Sequence, residues 1–360
     1  MKQNTSSIQN APKTAAQGSC GVIAIAGRPN AGKSTLMNRV VGARLSIVTP
    51  KAQTTRDRLL GILTDSQGQV VFVDTPGIHR AKEGGINDYM MAEVREAMQG
   101  VDAVWCLVDP SSTLKREQVV LELLASGLDS GTPVFLALNK ADLKHGEFAP
   151  AKALAFEAEL RVRATELGLK IANPEPLPLS ARTGKGVRAL VDASRALLPR
   201  GPLLYPDAEQ LSDRPTRFFV GEMIREQLLL RLGEELPYSC AVEVTSFQES
   251  SAPPRIEAVI HVERDSQKGM VVGKGGAKIK EIGQGARAAI EEFLGVPVFL
   301  GLRVKLLKDW SRDSELLRRL GYNLPAPTKA SGKASSRSAG APSGKSRIKA
   351  AAKPPKEAEK

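Results

Sequence analysis

The apolar run GVIAIAG, Gly21 to Gly27, passes directly into RPNAGKSTL, and this join limits the chain more than any other feature. A Gly-x-x-x-x-Gly-Lys-Ser segment that leaves a strand and opens a helix is built to wrap an anion. Its glycines let the backbone curl so that N–H groups converge, and the positive end of the following helix adds to the attraction. In such a loop Lys33 reaches β- and γ-phosphates and the Ser34 hydroxyl binds Mg²⁺. The whole stretch of Gly27, Arg28, Pro29, Asn30, Ala31, Gly32, Lys33, Ser34 and Thr35 is therefore expected to bind nucleotide.

Apolar runs then alternate with segments of helical period as far as Leu198: QVVFVDT, AVWCLVD, PVFLALN and PLPLSA, with helices expected near 33–41, 88–98, 115–125, 148–167 and 186–197. Strands apolar on both faces fit a parallel sheet covered by helices, and LLGILT at 59–64 could add an edge strand. Three further motifs fall at strand ends. DTPG places Asp74, Thr75, Pro76 and Gly77 at the phosphates, with Asp74 holding Mg²⁺ through a water and the Gly77 N–H sensing a γ-phosphate. NKAD places Asn139, Lys140 and Asp142 at the base, because the Asp142 carboxylate can accept from guanine N1–H and the 2-amino group, a pattern adenine lacks. SAR, with Ser180, Ala181 and Arg182, can meet guanine O6 through backbone N–H groups. The order of the four motifs is that of a guanine-nucleotide switch, which argues against an adenine-nucleotide kinase. Between the first two motifs lies AQTTRDR, where Thr55, or less favourably Thr54, would bind Mg²⁺ and the γ-phosphate; Thr55, Lys33 and Gly77 are the expected catalytic contacts.

With 360 residues, more than one core is expected. PRGPLLYPDAEQLSDRP, 199–215, reads as a linker, and 216–322 as a second domain ordered helix, strand, strand, helix, helix, strand. No apolar run reaches the roughly 18 residues of a membrane span, so a membrane-transport GTPase is not expected. Residues 1–17 read as a flexible extension without a secretion or organellar signal. Cys20, Cys106 and Cys240 lie far apart and suggest a reducing compartment, the cytoplasm. The net charge of +12 is concentrated late: the last 36 residues hold nine basic and two acidic side chains among Ala, Ser, Gly and Pro. The segment 323–360 is accordingly expected to be disordered, polycationic and drawn to polyanions.

A second glycine-lysine loop, VVGKGGAKIKEIG, is not expected to be a second nucleotide site, since Lys274 precedes the closing glycines and no Ser or Thr follows. As the Gly-x-x-Gly of a KH domain, Gly273, Lys274, Gly275 and Gly276 would let a single-stranded nucleic acid backbone come close, with Lys274, Lys278 and Lys280 near phosphates. The residues by themselves support single-stranded RNA or DNA.

GRPNAGKST, KAQTTRDR, DTPGIH, NKAD, SAR and VVGKGGAKIKEIG, spread over residues 18–322, together resemble the Era family, bacterial GTPases that couple a Ras-like domain to a C-terminal KH domain. The resemblance implies an α/β fold with a Ras-like P-loop GTPase domain over 18–198 and a type II KH domain over 216–322. It also implies GTP and GDP as ligands with Mg²⁺, slow turnover, and binding to the 3′ end of small-subunit ribosomal RNA in maturation of the small ribosomal subunit. Ile78 stands where Ras-type proteins have a water-orienting glutamine. In similar GTPases an asparagine at the position of Asn30 helps hold K⁺ in place of an arginine finger, which adds Asn30 to the catalytic set. His79 is read as a bystander. Peripheral attachment to the inner face of the cell membrane is a property of similar proteins with which the basic tail is compatible, and the chain is taken to be a monomer.

Overall fold

The computed structural model describes residues 18–79, 84–143 and 150–322; the extension expected over 1–17 and the tail over 323–360 lie outside the described residues. Strand β1 (Gly18–Gly27) feeds the phosphate loop and α1 (Lys33–Val41). There follow β2 (Leu59–Asp65), β3 (Gly68–Asp74), α2 (Ile86–Ala97), β4 (Ala103–Val108), α3 (Leu114–Gly127) and β5 (Pro133–Leu138). The half closes with α4 (Pro150–Glu166), short β6 (Lys170–Ile171) and β7 (Leu177–Pro178), and α5 (Val187–Arg195).

The main sheet runs β2-β3-β1-β4-β5-β6, parallel except for β2, which pairs antiparallel with β3 at the edge as LLGILT suggested. Strand order turns at β1, whose neighbours β3 and β4 lie on either side. In open α/β sheets such a turn opens a crevice beyond the carboxyl ends of the strands. All four nucleotide motifs follow those ends. Alternation along β1 sends Ile23 and Ile25 to one layer with Leu36, Phe72 and Trp105, and Ala24 and Ala26 to the other with Val104, Val120 and Leu136. The buried Trp105 indole donates to the Ser194 hydroxyl at 2.7 Å, which satisfies its N–H inside the core.

The linker is not a free tether. Its β8 (Arg200–Gly201) pairs antiparallel with the start of β1. The Tyr205 backbone exchanges two hydrogen bonds with the Gln69 amide, at 2.8 and 3.0 Å. Further on, the Ile62 N–H donates to the Leu211 carbonyl at 2.8 Å and the Ser212 hydroxyl donates to the Leu60 carbonyl at 2.6 Å, so the linker covers much of the exposed edge of β2.

The second half contains α6 (Thr216–Arg231), β9 (Cys240–Gln248), β10 (Arg255–Val262), α7 (Asp265–Val272), α8 (Ala277–Leu294) and β11 (Phe299–Leu306), in the expected order. Its sheet runs β11-β10-β9, with β10 parallel to β11 and antiparallel to β9. Ile256, Ala258, Ile260 and Val262 face the core beneath α6 and α8, as the period-two pattern required. A last helix, α9 (Ser314–Arg319), has no counterpart in the sequence reading. Together with Trp310 and Tyr322 it builds a small core against Tyr89 and Met90 of α2 and Ala241 of β9. The two halves are thus packed through an apolar contact, reinforced by the Ile86 N–H donating to the Ser311 carbonyl at 2.9 Å.

Candidate nucleotide and nucleic-acid sites

A cleft of about 640 Å³ opens at the carboxyl ends of the strands, and all four motifs contribute to it: Lys33 and Ser34, Gly77, Asn139 and Asp142, and Ala181. Its framework is polar and interlocked. The Asn139 side chain donates to the Ala31 carbonyl at 2.7 Å and accepts from the Ala181 N–H at 2.9 Å, tying the phosphate loop to both base-end loops. Gly32 is left-handed, with φ 98°, and a Cβ there would come within 2.2 Å of the Asn139 amide. Only glycine fits beside that crosslink.

At the phosphate end, Lys33 is buried and donates from Nζ to the Gly27 and Arg28 carbonyls, each at 3.0 Å. Burial lowers its pKa to about 8, although Asp74 and Glu117 oppose the shift. The Ser34 hydroxyl donates to Asp74 Oδ2 at 2.7 Å and shares a 2.9 Å hydrogen bond with the Thr55 hydroxyl. The three oxygens expected to face Mg²⁺ therefore meet. Thr54 instead bonds within its own loop, to the Thr49 hydroxyl at 2.7 Å and the Lys51 carbonyl at 2.8 Å, which leaves Thr55 as the residue turned to the site. Asp74 lies fully buried, and its Oδ1 has no hydrogen-bond partner among the described residues. Burial raises its pKa, opposed by Lys33, Ser34 and Ser46. An unpartnered carboxylate oxygen beside two hydroxyls is the donor set a hard cation with retained waters would take, so the residues fit Mg²⁺.

At the base end, the Ser180 hydroxyl donates to Asp142 Oδ1 at 2.5 Å and Arg182 Nε to Oδ2 at 2.8 Å. Both hold the Asp142 carboxyl below the usual carboxylate range, Ser180 foremost. Lys140 pairs with Asp109 at 2.5 Å. The Ala181 N–H is engaged by Asn139, so of the backbone donors expected to meet guanine O6 this one is already committed. Thr75 faces away from the cleft, its buried hydroxyl donating to the Ile25 carbonyl at 2.9 Å. Ile78 is buried in the sheet core and cannot reach a water at the phosphates. Asn30 stands exposed at the rim with φ 61°, its amide donating to the Pro50 carbonyl at 2.9 Å. His79 is held by Gln53 at 2.6 Å and by the Gly77 carbonyl at 2.9 Å.

Several contacts around the switch segment were not read from the sequence. Ser46 donates to Asp74 Oδ2 at 2.9 Å from a stretch with no motif, and Asn38 fixes that stretch by accepting from the Leu45 and Ser46 N–H groups. Buried Arg225 of α6 donates to the Thr54 carbonyl, and Arg44 pairs with Glu226. The segment that carries Thr55 is thereby fastened to the second domain.

The second loop begins where α7 ends. Gly273 (φ 73°), Gly275 (φ 58°) and Gly276 (φ 81°) all hold backbone angles that favour glycine. A Cβ at Gly273 would come within 2.6 Å of the Lys278 side chain, whereas Cβ atoms at Gly275 and Gly276 would meet nothing within 4 Å. The open side of this turn faces solvent. Lys274 and Lys280 are exposed, and Lys278 pairs with Glu281 at 2.8 Å.

A parallel sheet with a phosphate loop and a guanine-selective acid, joined to a three-stranded domain with a Gly-x-x-Gly turn, defines a GTPase that carries a KH module. Family models agree: one described as a 50S ribosome-binding GTPase matches residues 22–140, and one for the KH domain matches 235–311. A single-residue variant of Aquifex aeolicus Era, solved with GDP and AlF4⁻, is 33% identical, with a TM-score of 0.77 over 85% of this chain and 100% of that one. Era solved with MgGDPNP and nucleotides 1506–1542 of 16S ribosomal RNA is 32% identical, with the same coverage and TM-score. The chain belongs to the Era family of GTPases. Its activity is hydrolysis of GTP, with guanine nucleotide and Mg²⁺ as ligands.

Proposed function

We infer that this GTPase is a switch for small-subunit ribosomal RNA: the KH turn grips the single-stranded 3′ end of that RNA during subunit maturation, and the nucleotide sets the grip. One observation carries the reading. Thr55 hydrogen-bonds Ser34 in the nucleotide site while the next residue, Arg56, is buried against the KH domain, so one dipeptide touches both functions. Relatives support the choice of ligand, since Era has been solved with a 16S ribosomal RNA segment.

In this reading Lys33 exchanges its loop carbonyls for β- and γ-phosphate oxygens, and Asn139 keeps the phosphate and base loops in register. Asp142 reads the guanine N1–H and 2-amino group, which requires Arg182 to move aside or turn over the base. Ser34, Thr55 and Asp74 would hold Mg²⁺, which would offset phosphate charge. With Ile78 in the core, that position supplies no side chain to orient water, and hydrolysis is slow. Asn30 at the rim supports K⁺ as a further ligand near the phosphates. On the KH side, the positive-φ glycines admit the RNA backbone, Lys274, Lys278 and Lys280 meet phosphates, and Met270, 61% exposed, offers an apolar face for a base. By the same reading the protein acts as a monomer in the cytoplasm, and its basic tail gives it affinity for the inner membrane surface.

The test is reciprocal binding. Affinity for an oligonucleotide of the small-subunit rRNA 3′ end is measured with GDP and with a non-hydrolysable GTP analogue, and affinity for each nucleotide is measured with and without RNA. The two ratios must agree and differ from one. RNA affinity blind to nucleotide would refute the switch.

A further inference from the structure

Glu117 has no part in the chemistry described above, yet it opens the helix that follows β4, whose Leu107 lies beside Gly27 of the phosphate loop. It belongs to the first turn of α3, a place where an acidic side chain usually caps backbone N–H groups or reaches solvent. Here it does neither. The residue is 1% exposed, and both carboxyl oxygens lack a hydrogen-bond partner among the described residues. The Ser112 hydroxyl is nearby without completing one. Among the described residues, the charged and titratable groups coupled to it include Arg28 of the phosphate loop, Lys33 of α1, Cys106 of β4 and Asp109 just beyond that strand. Two are cations that a triphosphate would also engage.

We propose that Glu117 is a positioning residue of the nucleotide site: sealed in the interior with both oxygens unpartnered, its carboxyl sets by its charge how far Arg28 and Lys33 are committed to the protein rather than to the phosphates. As a carboxylate it draws both cations inward. As a neutral acid it leaves their charge to the ligand. Burial places its pKa at about 7, with Asp109 adding to the rise and Ser112, Arg28 and Lys33 opposing it, so both forms are populated near neutrality. The sign of the linkage follows. Nucleotide brings negative charge to the loop and favours the protonated acid, so binding takes up a proton and acid strengthens binding.

The proposal rests on the nucleotide-site assignment, and its test separates the two. GDP affinity, with Mg²⁺, is measured for the full chain and for Glu117→Gln, whose neutral amide mimics the acid. Between about pH 6 and about pH 7.5 the wild type should weaken about threefold relative to the variant, with the two equal at the lower pH. Titration of the nucleotide itself cancels in this ratio. A ratio constant with pH overturns the proposal alone; failure of the wild type to bind GDP at either pH overturns both it and the site assignment. If the variant does not fold, calorimetry of the wild type in buffers of different ionisation enthalpy decides. At pH 7, net uptake above about a tenth of a proton, the most that Lys33 with its pKa of about 8 can take up there, supports the proposal, and uptake at or below that level, or release, overturns it.

Discussion

The Arg56 guanidinium donates to the carbonyl of Cys240 at 3.0 Å, across the boundary between the two domains. It also reaches the Tyr238 carbonyl at 3.0 Å and the Tyr322 hydroxyl at 3.3 Å, and lies 5.6 Å from the centre of the Trp310 ring. A buried cation in such a nest is costly unless every donor is used, and the carbonyls are stranded if it is removed.

Arg56→Ala should therefore destabilise the protein by about 2–4 kcal/mol, read from the urea midpoint at constant slope, and Arg56→Lys should recover less than half, because an ammonium cannot fork between two carbonyls. The variant should also lose most of the GTP effect on RNA affinity while keeping RNA affinity itself. A loss below about 1 kcal/mol would show that the contact contributes little.

Asp142→Asn should weaken GTP binding and strengthen xanthosine triphosphate binding, since the xanthine 2-oxo group replaces a donor with an acceptor that the Asn amide can serve. About 2 kcal/mol in each direction, some thirtyfold, is the scale of one charge-assisted hydrogen bond. Competition binding of the two triphosphates measures it. Equal preference in both proteins would remove Asp142 from the base site.

Replacing Na⁺ by K⁺ should raise steady-state phosphate release at least several-fold, and Asn30→Ala should abolish the difference without changing GDP affinity by more than about twofold. The Asn30 amide already donates to the Pro50 carbonyl, so its oxygen remains available to a cation. Identical rates in both salts would dismiss K⁺ from the mechanism.

Lys274→Asp combined with Gly275→Asp should abolish RNA binding by setting two anions against phosphate, while GTP affinity stays within about twofold of wild type. A side chain at Gly275 strikes nothing in the protein, and its backbone strain is about 1 kcal/mol, so the fold should survive. RNA affinity unchanged in the double variant would contradict the clamp.

What was legible in the sequence is what local chemistry dictates. GRPNAGKS, DTPG, NKAD and SAR each need particular side chains within a few positions, and the strand-helix alternation places them at one sheet edge. The segment AQTTRDR offers two threonines, and the structure turns Thr55 towards Ser34 while Thr54 bonds within its own loop. Arg56 was visible only as a positive charge, because its partners Cys240 and Tyr322 lie 184 and 266 positions away. The same distance hid Arg225 behind a helical pattern, and α9 was too short, at six residues, to show a periodic stripe. The four prolines of 199–215 mark it as a linker, and its carbonyls and N–H groups are used by β1 and β2; nothing in its composition encodes that docking.

That docking determines how far the RNA-holding half can stray. The last anchor of the linker on the GTPase half is Arg214, which donates to the Arg58 carbonyl at 3.2 Å, and α6 begins at Thr216. That anchor is made by a long side chain; counted along the backbone from Ser212, whose hydroxyl is held by the Leu60 carbonyl, the leash is residues 213–215, and three residues extend no more than about 11 Å. Opening of the two halves must therefore be a pivot about this point, with radius set by the domains themselves. A KH domain seated on RNA keeps its GTPase at very high local concentration. To swing wider the protein would have to peel the linker from β2 and bare that strand's edge, so the reach of the switch and the solubility of the open form are governed by the same few hydrogen bonds.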